Sequence, residues 1–137
     1  MNSTLKNILA VVVGALIGGF LNGALISVSS SIIPPPEGAN LATEEGLKAA
    51  MHLMEPKHFL FPFLAHALGT LLGAFIAYKM AATQKLKMAL LVGFLFLTGG
   101  IYMVLILPSP LWFTLLDLVV AYIPMAFLGA KIATKKQ

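Results

Sequence analysis

The sequence contains no cysteine and no arginine, and only five of its 137 residues are acidic. Without cysteine there are no disulfides, no thiol redox chemistry, no Cys-ligated zinc and no iron–sulfur cluster. All nine positive residues are lysines, and most sit at the ends of apolar runs rather than in a stripe interleaved with aromatics, which excludes nucleic acid as a partner. Charged residues make up 10% of the chain and hydrophobic residues 59%, whereas a water-soluble domain carries about 25% charge. Fourteen charges are too few to coat a water-facing globule of this length, so the expected solvent is lipid. Also missing are a nucleotide-binding glycine loop, a Ser-His-Asp order and an H-E-x-x-H zinc motif. The glycines lie inside apolar runs instead of strand-to-helix turns.

What is present is four apolar runs, each near the roughly 20 residues that a spanning helix needs. They cover residues 8–33, 58–78, 88–107 and 111–132. The first is longer than a signal-peptide core of about 7–15 residues, so it is expected to be an uncleaved span. With both termini cytoplasmic, one side holds Lys6, Lys79, Lys85, Lys87, Lys131, Lys135 and Lys136, while the other holds only Lys48 and Lys57. That asymmetry is a positive-inside signal for an N-in, C-in orientation. Short connections around 82–87 and 108–110 make consecutive helices antiparallel neighbours. The outer loop, 34–57, opens with three prolines and contains an expected amphipathic helix over 44–54, with Thr43 as N-cap and Glu44 and Glu45 on its positive end.

Helices in lipid associate through small residues. Ala65, Gly69, Gly73 and Ala77 give the second span one smooth face, and the first offers two adjacent rows, Gly14 with Gly18 and Ala15 with Gly19 and Gly23. Pro62 and Pro124 fall within spans and are expected to kink them.

Ionisable groups inside a membrane cost about 2.5–3.5 kcal/mol at the helix centre, so each needs a reason to be there. Only His66 and Asp117 qualify. At about 1.5 Å per residue they lie roughly 15 and 10 Å below the outer ends of their helices, and Tyr102 about 8 Å below the same surface. Thr70 shares a helix face with His66, Thr114 shares one with Asp117, and Asn22 sits near the midplane. The expectation is one inward-facing cluster of Asn22, His66, Thr70, Tyr102, Thr114 and Asp117, centred on a His66–Asp117 contact. The inner halves of the spans carry no ionisable residue, so a pore or proton wire through one chain lacks its polar lining.

Above the cluster, His52, Glu55 and His58 offer two imidazoles and a carboxylate, adequate for Zn²⁺ or another divalent metal. Pro56 interrupts the helix between Glu55 and His58, and the competing reading has Glu55 capping the second span. Phe59, Phe61, Phe63, Trp112 and Phe113 read as an interfacial aromatic belt or as the rim of a lipid-like ligand site.

The resulting expectation is an all-α integral membrane protein with a single four-helix transmembrane domain in a bacterial inner membrane. It is read as a non-catalytic binding or accessory subunit with a polar pocket in the outer leaflet, and no cofactor is assigned. One alternative is an intramembrane enzyme using His66 and Asp117, with or without a metal. Another is a transporter completed only by oligomerisation. Expected partners are membrane lipid, a larger membrane complex or further copies of the chain, and a lipid-like or small-molecule ligand.

Overall fold

A computed structural model describes residues 1–135. Lys136, counted above with the cytoplasmic lysines, lies outside the described residues. The described residues form six α-helices: α1 (Ser3–Ile32), α2 (Glu44–Ala50), α3 (Leu60–Met80), α4 (Lys85–Ile106), α5 (Leu111–Val120) and α6 (Ile123–Lys135). No strand occurs among the described residues. Four helical stretches are long and apolar enough to cross a membrane: Ser3–Ile32, Pro56–Met80, Lys85–Ile106 and Leu111–Lys135. Each differs from the apolar run by a few residues, because lysine is a good helix former and does not end a helix where the apolar residues stop.

Local chemistry sets the ends. Asn2 caps α1, its Oδ1 accepting from Leu5 N at 3.0 Å, and the prolines after Ile33 stop the helix because they can neither donate nor let the preceding residue stay helical. Gly38, at φ 79°, lets the chain reverse within the loop, where Ala39 N donates to Pro36 O at 3.0 Å. Thr43 caps α2 through Gly46 N at 3.0 Å, and Lys48 pairs with Glu44 at 2.8 Å. The helix expected over 44–54 is shorter: α2 ends at Ala50, and a single 3-10 turn, Met51–Leu53, follows. Glu55 precedes Pro56 and must leave the helical region. A second 3-10 turn, Pro56–Phe59, then runs into α3. Pro62 therefore falls in the first turn of α3, where a missing N–H disturbs nothing, and the kink expected there is replaced by the 3-10 start. Pro124 does break its span. It offers no N–H to the carbonyl four residues back, at Val120, and the chain turns at Ala121–Tyr122 before α6 begins.

The centre of the assembly is α3. On one side Gly14 and Gly18 of α1 meet Gly69 and Gly73 so closely that a Cβ on Gly69 would lie 2.7 Å from the Gly18 carbonyl, and one on Gly73 2.7 Å from that of Gly14. Only this row makes the seam. A Cβ on Gly19 or Gly23 would meet nothing within 4 Å, so these two glycines take no part in the close approach. On its far side α3 packs Ala74 against Ala89 of α4 and Ala126 and Ala130 of α6.

Candidate functional site

Helices α3 and α5 bring together His66 and Asp117, the two ionisable residues expected within the membrane. His66 Nδ1 lies 2.8 Å from Asp117 Oδ1. Asp117 is 4% exposed, and its second oxygen, Oδ2, accepts from the Tyr122 hydroxyl at 3.0 Å. The imidazole also lies over the Tyr122 ring, with centroids 5.7 Å apart and planes 27° from parallel. With Asp117 as a carboxylate, which has no proton to give, His66 Nδ1 is the donor of this bond, and Nε2 is the nitrogen that points away from the pair. Nε2 has no hydrogen-bond partner among the described residues, and the His66 side chain is 23% exposed.

Tyr122 is the residue that sequence reasoning missed. On a continuous helix, positions five apart sit about 140° from one another, so Tyr122 could not reach Asp117. The break before Pro124 swings it back. A buried place awaits it because α4 has glycine at position 100, where a Cβ would lie 2.5 Å from the tyrosine oxygen. Pro124 was the available signal, since an interior proline marks a break beginning at its i−4 carbonyl.

The remaining members of the expected cluster are dispersed. Tyr102 is 60% exposed. It lies about 200° around α4 from Gly100, which faces Tyr122, so equal depth does not give it an inward direction. Thr114 pairs with the Ser109 hydroxyl at 3.2 Å rather than with Asp117. Thr70 is wholly buried one turn below His66, with no partner for its hydroxyl. Helical hydroxyls usually bond back to a carbonyl, as Ser27 does to Gly23 and Thr98 to Phe94. Asn22 lies against Gly69, and its buried Oδ1 is also unpartnered.

The metal reading of His52, Glu55 and His58 does not hold. His58 Nδ1 accepts from Glu55 N at 2.9 Å, and Nε2 then donates to Pro34 O at 3.1 Å, so both nitrogens are engaged in joining the start of α3 to the end of α1. Glu55 pairs instead with Lys57 at 3.2 Å. No group of three His, Cys, Asp or Glu residues that could hold a metal ion occurs among the described residues.

The aromatic belt is partly a plug. Phe59 and Phe113 are buried together with Met51, packed by Leu47, Met54, Phe63 and Leu107. Phe59 stacks edge-on against Trp112 at 5.5 Å. Beside this plug is a cavity of about 30 Å³, the size of one water, lined by Ser29, Ser30, Leu41, His58 and neighbours. A larger groove of about 570 Å³ opens at the opposite end of the molecule. None of the six residues of the expected cluster lines either space. Comparison of the chain with protein-family models, curated proteins and solved structures finds no match.

Proposed function

We propose that this chain is a polytopic protein of a bacterial inner membrane, with both termini cytoplasmic, and that it serves as a non-catalytic binding or accessory subunit. Its contact point within the membrane is the His66 imidazole, presented by Asp117 and Tyr122. The orientation rests on charge: Lys6, Lys79, Lys85, Lys87, Lys131 and Lys135 gather at one end of the helices and Lys48 and Lys57 at the other.

The observation that carries the binding role is the contrast between two histidines. His58 satisfies both ring nitrogens inside the protein, as a purely structural imidazole does. His66 is fixed from behind through Nδ1, while Nε2 is left open on a partly exposed side chain. A polar atom unsatisfied in lipid is costly, so the partner for Nε2 comes from outside the chain: a polar head group of a lipid-like ligand or a side chain of another subunit.

The test is purification into nanodiscs, followed by mass spectrometry of everything that accompanies the protein. A lipid-like species or a subunit that is retained by the wild type and lost from a folded His66→Phe variant bears the reading out. A His66→Phe protein that keeps the same companions overturns it. The second reading is an intramembrane enzyme with His66 as general base, favoured by the same geometry because a carboxylate on Nδ1 fixes the tautomer of a base. A companion recovered chemically altered from the wild type and unaltered from His66→Phe decides for the enzyme.

A further inference from the structure

The groove of about 570 Å³ lies between the N-terminal halves of α1 and α4, and its lining changes character with depth. At the helix ends it is polar, with Ser3 and Thr4 from α1 and Gln84 from the start of α4. About 10–13 Å further in, by the 1.5 Å helical rise, it is apolar, with Val11 and Val12 facing Leu91. Gln84 adopts a left-handed backbone, φ 48°, and provides no side-chain cap for α4. Asn7 braces this turn: its Oδ1 accepts from Ala82 N at 2.9 Å and Thr83 N at 3.2 Å, and its Nδ2 donates to the Thr83 hydroxyl at 2.9 Å. The groove therefore has a fixed polar mouth and an apolar channel.

Charge selects the occupant. Lys87 does not line the groove itself, but it is exposed and immediately precedes the lining residue Met88, three residues after Gln84 and four before Leu91, which places it at the groove's rim. Lys85 is turned instead toward Tyr78, its Nζ 5.8 Å from the ring centroid. No Asp or Glu side chain among the described residues lies at this end: Glu37, Glu44, Glu45 and Glu55 belong to the segment at the far end, and Asp117 to the buried pair.

We propose that the groove binds one anionic phospholipid, with its phosphate at Lys87 and the polar mouth, and one acyl chain along Val11, Val12 and Leu91. A polar-to-apolar gradient over this depth matches the passage from head group to hydrocarbon, and a lysine on a rim without Asp or Glu matches the negative leaflet surface. The inference rests on the proposed membrane orientation, which places this end in the cytoplasmic leaflet.

The experiment is native mass spectrometry of the detergent-purified protein titrated with phosphatidylglycerol or phosphatidylcholine. A one-to-one phosphatidylglycerol adduct is expected, preferred over phosphatidylcholine. It should weaken about fivefold in Lys87→Gln and be lost in Val12→Trp, which fills the channel, while Lys135→Gln leaves it unchanged. Val12 is 46% exposed, so the larger side chain does not disturb the core. Equal binding of both lipids, or an adduct untouched by both Lys87→Gln and Val12→Trp, overturns the site. Release of the protein from membranes by alkaline carbonate overturns the membrane reading itself, and the site with it.

Discussion

At the scale of single residues, the site is decided by how many polar atoms are satisfied. Asp117 accepts from two side chains on two different elements, so removing either donor leaves a buried carboxylate oxygen unpaired. Tyr122→Phe should lower stability by about 1–3 kcal/mol, read by denaturant titration in detergent micelles. Asp117→Ala, which removes the acceptor of both bonds and leaves two donors unpaired, should lower it further, by about 2–4 kcal/mol. If Tyr122→Phe proves neutral, the hydroxyl contributes nothing to the network. The His66–Asp117 contact was legible in the sequence because two expensive groups at matching depth leave few ways to be satisfied. Tyr122 was not legible, because its approach depends on a helix break whose direction no periodicity reports. Tyr102 misled for a related reason: depth follows from counting residues, but the inward direction needs a neighbour, and the deciding neighbour was Gly100. The structural role of His58 was not legible, because its partners are backbone groups, which every residue type carries.

At the scale of helices, the α1–α3 seam is built from backbone approach. Gly18→Leu must push against the Gly69 carbonyl and should destabilise by about 1–3 kcal/mol or more. At Gly19, one position on, an added Cβ meets nothing within 4 Å, and Gly19→Leu should stay within about 0.5 kcal/mol. Thermal unfolding of the two variants in the same detergent checks the pair, and equal effects would contradict the seam. That α1 and α3 meet through small residues was legible in the four-residue spacing. Which of the two glycine rows makes contact was not, since the rows differ by about 100° of rotation that only the partner helix fixes.

At the scale of the whole molecule, the absence of cysteine is a practical advantage, because any introduced thiol is unique. The proposed orientation predicts that Ser3→Cys and Gln84→Cys react with a membrane-impermeant maleimide only after cells are opened, whereas Asn40→Cys reacts in intact cells. The reverse pattern would invert the topology. Four helices long enough to span were legible from length and composition, because a run of about 20 apolar residues carries that signal wherever it lies in a chain. The glycine seam also has a consequence for how the molecule is assembled. It joins α1 to α3 by shape, without an ionic contact, and a proline-rich tether leads away from it. In effect α1 is a ligand of the other long helices, and the connecting segment mainly sets its local concentration. Severed between Glu37 and Gly38 and co-expressed, the two fragments should find each other in the membrane and copurify, and Gly18→Leu in the shorter one should abolish the pairing.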